Sequence, residues 1–464
     1  QQGVLKNYIW LSVVVGISLL FAVLSKENGI LLCLYILIVE ITILARVPQP
    51  PYWHYWLSVF VYVPLLLLIG YLSLNWSHFV QSYEIREFTL DERVLTQARI
   101  LLDYLAKLTL LNTNDLGLFH DDYLYSQGLL TPPTTLLALV IVLSSLIGAL
   151  WYRRRYPLLA LALLWFLGGH SLESTFLPLA LYFEHRNYLP SLGILLGLVL
   201  GWLYLTQRMS NLRLIMNSLG IIIVLLLALL TSGQTQLWGQ PLKQAIIWAE
   251  QKPNSRFAQS HAAQLLVNRG HYKAAQTLYQ TMVKRFPQDT GPYIIWLTAS
   301  CQHPHITAPP LQQLWPQLEQ ARVDSATISS LMSLLIPYQP CASLSLSQLE
   351  PLLALLIQHS QQQPYYLTYL HYLNATLAAQ QHQFTTAIRR IEQALALTTA
   401  RPLFRLKKLA WLIQANQLQQ AADYLKQTRQ QWSQFKTYLY AKELSLLATQ
   451  IKIKQEMHLM LPKR

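Results

Sequence analysis

Residues 19–41, LLFAVLSKENGILLCLYILIVEI, set two apolar runs on either side of the polar segment SKENG (25–29). The full runs extend from about 8 to 24 and from about 29 to 45, which is near the ~20 residues that an α-helix needs to cross a bilayer. The pattern predicts two membrane-spanning helices joined by a short charged hairpin.

Similar apolar runs recur along the first half of the chain. The sequence is 53% hydrophobic and 12% charged, with a formal net charge of +14, which fits a membrane protein with a soluble appendage. Counting the two runs already described, seven spans are predicted, and the other five cover about 55–74, 131–151, 156–172, 188–206 and 213–232.

Composition divides the chain into two predicted domains. Residues 1–234 hold 13 basic and 12 acidic side chains, whereas residues 235–464 hold 22 and 9. The excess positive charge therefore belongs to the second domain. Beside a bilayer, such a domain could attract anionic lipid headgroups or acidic partners, although a solvated helical surface rich in Lys, Arg and Gln would have the same composition. No nucleic-acid partner is expected.

Basic residues in the connecting segments predict the orientation of the spans. If the first residue is cytoplasmic, the following residues all lie inside, as the positive-inside rule requires: Lys6, Arg46, Arg153, Arg154, Arg155, Arg208 and Arg213. The hairpin 25–29, the loop 75–130, residues 170–187 and the whole C-terminal domain then lie outside. Glu40, near the cytoplasmic end of the second span, is the exception, and either snorkels or pairs there.

The long outer loop carries its own helix signal in TLDERVLTQARILLDYLAKLTL (89–110). Thr89 and Glu92 have the spacing of a capping box. The apolar residues that follow predict an amphipathic helix in the membrane interface, packed on lipid or on neighbouring spans, and they are Val94, Ala98, Leu101, Leu102, Leu105 and Leu108.

The second half of the chain has a helical repeat pattern with a period of 34 residues. The segment RFAQSHAAQLLVNRGHYKAAQTLYQTMVKRFP (256–287) fits the tetratricopeptide consensus at Ala263, Gly270, Tyr272, Ala275, Tyr279 and Pro287. Two weaker copies contain Phe384, Ala387 and Ala394, and Leu418, Ala421 and Leu425. We predict a tetratricopeptide-like α-solenoid, whose stacked repeats form a docking groove. The predicted fold class is therefore all-α, with a multi-span membrane domain followed by this solenoid.

The segment 288–360 matches the repeat poorly and contains two of the three cysteines, Cys301 and Cys341. Outside the cytoplasm these two could form a disulfide bond, and the alternative is two free buried thiols. Cys33, within the second span, is expected to serve only packing.

Four groups of polar residues are predicted on the outer face, and they contain Lys26 and Glu27; His120, Asp121 and Asp122; His170 and Glu173; and Glu184, His185 and Arg186. Arg186 and Lys26 are the first candidates for binding a lipid phosphate, because guanidinium and ammonium groups suit phosphate oxygens. Nearby carboxylates could deprotonate a hydroxyl, bind a divalent metal ion or orient these cations. Each group has a structural alternative as an ion pair or a helix cap.

Two of these segments carry a family resemblance. LLFAVLSKENGILLCLYILIVEI resembles the Lys-Glu hairpin of integral-membrane glycosyltransferases that use polyprenyl-phosphate sugars. FEHRNYLPSLGILLGL (183–198) is similar to the acid-x-x-x-Tyr-Leu-Pro-Ser signature of tetratricopeptide-repeat protein O-mannosyltransferases. The order of spans and repeats completes a likeness that covers most of the chain and implies a C-type glycosyltransferase fold.

The resemblance also implies roles for individual residues. It places Lys26, Glu27, Glu184, Arg186 and Tyr188 around the donor phosphate, with His185 beside them. The catalytic acid of such enzymes belongs to a first outer loop, which would precede residue 8, so this chain is expected to be an N-terminally truncated fragment. Glu184, Asp121 and Asp122 are the remaining catalytic candidates. His120, Asp121, Asp122 and Glu173 are candidates for binding a metal ion or the acceptor.

The function expected from the sequence is transfer of a sugar from a polyprenyl-phosphate carrier to an acceptor hydroxyl, on a protein held by the repeats. The expected location is a bacterial inner membrane, with the C-terminal domain in the periplasm. One rival is a polymerase or ligase of lipid-linked glycans, which would use Arg86, Arg93 and Arg99 of the outer loop. Another is a non-catalytic membrane anchor that presents the repeats as a scaffold for envelope assembly.

Overall fold

The computed structural model describes residues 2–110, 116–336, 341, 344–397 and 401–460. Within these ranges the chain consists of helices and connecting segments, with two isolated β-bridges and no β-strand. The predicted all-α class is confirmed.

The chain forms two compact units, Gln1–Ala258 and Gln259–Arg464. This division lies beyond the boundary drawn from composition, after residue 234. The difference arises because the helix Pro241–Gln251, which follows the last apolar helix, belongs to the first unit. Its buried Trp248 packs edge-on against Trp238 and Phe119 of that unit, with ring centroids 5.6 and 5.8 Å away.

Eleven α-helices begin and end within the described part of the first unit. They are α1 (Gln2–Ser25), α2 (Leu31–Thr42), α3 (Trp53–Leu57), α4 (Val63–Leu74), α5 (Trp76–Gln81), α6 (Leu90–Thr109), α7 (Thr134–Tyr152), α8 (Pro157–His170), α9 (Ser191–Arg208), α10 (Arg213–Trp238) and α11 (Pro241–Gln251). A π-helical turn, Ser58–Tyr62, joins α3 to α4 into one continuous rod.

Five helical segments are long and apolar enough to span a membrane, as is typical of a membrane protein: Leu5–Ser25, Trp53–Leu74, Thr134–Tyr152, Ser191–Arg208 and Arg213–Trp238. The other two predicted spans, 29–45 and 156–172, contain shorter α-helices, α2 of 12 residues and α8 of 14. They are also more enclosed by protein. Six residues of α8 are buried, whereas none of the described side chains of α10 is.

The two short helices, α2 and α8, form the interior of the first unit. Tyr35 of α2 stacks on Trp165 of α8 with ring centroids 4.0 Å apart. On the other side of α8, Gly193 of α9 lies so close to the backbone of Ala162 that a Cβ at this position would overlap it. A Cβ on Gly29 would likewise overlap the Ala22 backbone of α1, so the hairpin 25–29 folds tightly against the helix before it.

Helix α6 begins with the predicted capping box, in which Thr89 and Glu92 satisfy each other's backbone N–H groups. Its buried face differs from the predicted apolar stripe. Ala98 and Leu101 are buried, but Val94 is 40% exposed. The most enclosed large side chains of the helix are instead Arg93, Ile100 and Tyr104, at 0–1% exposure.

The second unit consists of paired helices. They are α12 (Arg256–Asn268), whose first turn precedes the division between the units, α13 (Tyr272–Arg285), α14 (Gly291–Gln302), α15 (Leu311–Leu318), α16 (Ser325–Leu335), α17 (Leu346–His359), α18 (Pro364–Gln380), α19 (Phe384–Leu397), α20 (Pro402–Gln414), α21 (Leu418–Gln431), α22 (Gln434–Leu439) and α23 (Ala441–Met460). From α17 to α21 each helix packs on the next. This nearest-neighbour packing is what a repeat array requires, and the superhelical winding of a solenoid stays a prediction.

Three helical hairpins share the same turn. Gly270, His382 and Asn416 follow α12, α18 and α20, and they have φ values of 78°, 60° and 61°. In each turn the next backbone N–H donates to a carbonyl in the last turn of the preceding helix. His382 and Asn416 are 34 positions apart (416 − 382), which is the period expected from the sequence.

The predicted small positions are also buried. Ala263, Ala275, Ala387, Ala394 and Ala421 are all 0% exposed, so the paired helices approach closely there. In the irregular segment between the repeats, Cys301 and Cys341 form a disulfide bond with Cα atoms 4.8 Å apart. These are the two cysteines that the sequence had suggested could pair.

Candidate functional site

The polar site lies in the first unit, where residues 171–183 connect α8 to the 3₁₀ turn Glu184–Asn187. Arg93 of α6 holds this connection together. Its guanidinium donates hydrogen bonds to four backbone carbonyls, those of Glu173 at 2.7 Å, Thr175 at 2.9 Å, Ala180 at 3.2 Å, and Leu179. The hydrogen bonds of this side chain, which is 0% exposed, therefore all go to peptide carbonyls.

The same face of α6 fixes the end of the connection. Gln97 donates to the carbonyl of Leu181 at 2.9 Å. The hydroxyl of Tyr104 donates to the carbonyl of Phe183 at 2.7 Å and accepts from the Phe183 N–H at 3.2 Å. The turn that carries Glu184 and Arg186 consequently starts from a fixed backbone position.

Glu173 joins two of the predicted cations. Its Oε1 lies 2.8 Å from Lys26 Nζ and its Oε2 lies 3.3 Å from Arg186 Nε. The side chains of Glu173 and Arg186 are 8% and 7% exposed, whereas that of Lys26 is 50% exposed. Arg186 also donates to the carbonyl of Ala180 at 2.6 Å. Of these two candidate phosphate ligands, Lys26 is accessible and Arg186 is a buried support.

Glu184 forms the second half of the site. Lys107 Nζ lies 2.8 Å from Glu184 Oε1, and His120 Nε2 donates to the same oxygen. Tyr182 packs against both donors, with its ring centroid 4.7 Å from Lys107 Nζ and 4.3 Å from the His120 ring. The sequence had placed His120 and Glu184 in separate groups, and the fold brings them together.

The remaining predicted donor ligands are exposed. Tyr188 is 81% exposed, and His185 stacks on Phe183 at 5.3 Å between centroids. Glu27 is exposed and has no hydrogen bond or ion pair with the described residues. His170, in contrast, is buried. It lies 3.2 Å from Asn187 Oδ1 and 3.2 Å from Ser174 Oγ, contacts that make it a packing element of the site.

Burial and charge shift the pKa values of the site in opposite senses. Burial raises the pKa of Glu184, but the hydrogen bond and charge of His120, followed by those of Lys107, lower it below its ordinary value. Burial lowers the pKa of Arg186 although Glu173 opposes the shift. Burial also lowers the pKa of Arg93, to about 10, so that Arg93 remains protonated at neutral pH.

The metal site considered at His120, Asp121 and Asp122 is not formed. His120 turns to Glu184, Asp121 accepts from Ser255 Oγ and from the Phe257 N–H at 3.3 Å, and Asp122 lies 3.9 Å from Lys252. Three adjacent residues thus point to three different partners. Across the ranges that the structure describes, no group of three His, Cys, Asp or Glu side chains is arranged to hold a metal ion.

Arg93, Tyr104 and Lys107 are site residues that the sequence reasoning did not assign to the site. A helical wheel places Arg93, Tyr104 and Lys107 toward one side of α6, but the apolar periodicity used to orient the helix assigns charged residues to solvent. Two arginines proposed for gripping a diphosphate, Arg93 and Arg99, donate instead to backbone carbonyls, and the Arg99 bond to Leu124 measures 2.8 Å.

The arrangement can bind an anion and supply an ionised carboxylate beside it. Lys26 and Arg186 both bind the carboxylate of Glu173, and Arg93 binds the Glu173 backbone carbonyl, so positive charge exceeds negative charge around this residue. Such an excess beside apolar helices favours a bound anion. No protein-family model, curated protein or solved structure matches the chain.

Proposed function

We propose that the protein is a membrane glycosyltransferase that takes a sugar from a polyprenyl-phosphate carrier and attaches it to an acceptor hydroxyl. The observation that carries this proposal is the pairing of two cations, Lys26 and Arg186, with the carboxylate of Glu173, and the third cation, Arg93, that binds the Glu173 backbone carbonyl beside them. A lipid phosphate beside Lys26 would balance the excess charge, and its prenyl chain would lie against the apolar helices.

The accessible ammonium of Lys26 would contact the phosphate, while Arg186 would orient Glu173. In the reaction the phosphate is the leaving group and gains negative charge as the bond to the sugar breaks. A fixed cation lowers the barrier to that step because it stabilises the developing charge. The acceptor would be a protein bound by the repeats, and the site would face the periplasm of a bacterial inner membrane.

The test is sugar transfer in membranes that contain the full-length protein. Labelled polyprenyl-phosphate sugars are supplied with a panel of envelope proteins, and label on protein is measured. Lys26→Ala should raise the KM for the donor about tenfold or more, which corresponds to loss of one charge-assisted contact.

The matched control is Lys6→Ala, which removes another exposed lysine of the N-terminal region. This variant should transfer like the parent. No label on protein with any donor, in a sample that is correctly inserted, would refute the glycosyltransferase proposal.

One observation favours a second candidate, a non-catalytic membrane anchor that presents the repeats as a scaffold. Glu173 and Arg186 are buried and already paired with each other, as in an ion pair that only stabilises the fold. In that case Lys26→Ala would leave partner capture by the repeats unchanged and no donor would bind.

A further inference from the structure

We propose that Glu184 is the base that accepts the proton of the acceptor hydroxyl, with Lys107 and His120 holding its carboxylate in position. This inference rests on the proposed glycosyltransferase function and deepens it. It assigns the acceptor side of the reaction to Glu184, as the proposed function assigns the donor side to Lys26.

The geometry of the Glu184 carboxylate supports this role. Both Lys107 and His120 bind Oε1, which fixes the plane of the group. The other oxygen, Oε2, accepts no hydrogen bond from the described residues, and the side chain is 26% exposed. One oxygen is therefore anchored and the other can receive a ligand hydroxyl.

The other carboxylates near the site do not combine these features. Both oxygens of Glu173 are engaged by cations. Both oxygens of Asp121 accept hydrogen bonds, from Ser255 and from Phe257. Glu27 is exposed, and no described residue forms a hydrogen bond or ion pair with it. Asp122 Oδ1 is buried and lies 3.9 Å from Lys252 Nζ, and within the described ranges it accepts no hydrogen bond.

Glu184 also lies close in the chain to the Glu173 ion pairs. It is two positions from Arg186 in one 3₁₀ turn, and Tyr104 anchors the residue before it through two hydrogen bonds. The same helix, α6, thus fixes the backbone beside Glu184 through Tyr104 and the backbone of Glu173 through Arg93.

The proposed reaction needs no reactant other than the donor lipid and the acceptor. The acceptor O–H proton moves to Glu184 Oε2 as the acceptor oxygen forms a bond to the anomeric carbon. The bond between that carbon and the phosphate oxygen breaks, and its electron pair leaves with the phosphate. Glu184 then releases the proton to water.

The experiment compares the full-length parent, Glu184→Gln and Glu184→Ala in membranes with the labelled donor that the parent uses. Donor binding and transfer to protein are measured separately. In Glu184→Gln, donor binding should change less than about threefold and transfer should fall about 100- to 10,000-fold, the usual contribution of a general base. Added formate, a small carboxylate, should restore part of the transfer in Glu184→Ala and have no effect on the parent.

Glu250→Gln is the matched control, because Glu250 is an exposed carboxylate on α11 of the same unit. It should leave transfer unchanged. Transfer by Glu184→Gln within about tenfold of the parent would overturn the assignment of the base while leaving the glycosyltransferase proposal intact. Joint loss of donor binding and transfer, without rescue by formate, would also overturn it, since Glu184 would then maintain the fold. A parent that neither binds a donor nor transfers sugar overturns both proposals.

Discussion

Arg93 Nη2 donates a 2.7 Å hydrogen bond to the backbone carbonyl of Glu173, a residue 80 positions later in the chain. Three further carbonyls of the same connection accept from this guanidinium. The carboxylate that pairs with Lys26 and Arg186 is thus positioned by a residue that touches neither of its oxygens. The shape of the site depends on α6 as much as on the segments that contribute its charges.

Replacing Arg93 by lysine should destabilise the first unit by about 3 kcal/mol, because an ammonium cannot reach four carbonyls and leaves several buried acceptors unsatisfied. Thermal unfolding of the purified protein in detergent measures the effect. Arg99→Lys, a partly exposed position on the same helix, is the control and should lower the midpoint much less. Equal midpoints for the two variants would show that the carbonyl contacts contribute little.

Gly270 and His382 occupy the same left-handed turn in two hairpins and should respond oppositely to substitution. Gly270→Ala should destabilise the α12–α13 hairpin by about 1 kcal/mol, since a Cβ is unfavourable at positive φ. His382→Gly should leave the α18–α19 hairpin unchanged or stabilise it by up to about 1 kcal/mol. Hydrogen exchange of each hairpin in the full-length protein is the readout, and faster exchange in His382→Gly would contradict the shared-turn interpretation.

Removal of the disulfide should loosen the irregular segment between the repeats. Replacing both Cys301 and Cys341 by serine opens a loop of 40 residues, and a closed loop of this size typically contributes about 2–4 kcal/mol. Limited proteolysis should cut the variant faster near these positions. Treating the parent with reductant should give the same pattern, while Cys33→Ser, which alters the buried free thiol, should not.

Glu184 should make stability depend on pH in the acid range. Its pKa in the folded protein is lower than the ordinary value of 4.5. The carboxylate therefore contributes stability that is fully present above pH 4.5 and is lost as the pH falls through the lower folded value. Thermal midpoints of the parent and Glu184→Gln, recorded from about pH 6 to about pH 3, should converge toward acid. A constant difference across that range would show that Lys107 and His120 do not favour the ionised form.

The sequence predicts much of the local structure because the signals are local. The capping box at Thr89 and Glu92 and the buried alanines of the repeats follow from spacing alone. The buried face of α6 does not follow from spacing. Its residues Arg93 and Lys107 are charged, and the periodicity of apolar residues assigns charged residues to solvent. Their partners are supplied by segments far along the chain, the carbonyls of 173–180 and the carboxylate of Glu184. The left-handed conformation of His382 was not predicted either, because glycine is the residue that usually marks such a helix end.

The two short interior helices, α2 and α8, both adjoin the site. At a rise of 1.5 Å per residue, α2 and α8 are only about 18 and 21 Å long, against a hydrocarbon thickness of about 30 Å. The α2 helix begins just after the Lys26 hairpin, and α8 ends at His170, just before Glu173. In the proposed reaction the carrier lipid would reach the charged cluster from the bilayer and a water-soluble acceptor would reach it from the aqueous side, so the two substrates would approach from different directions.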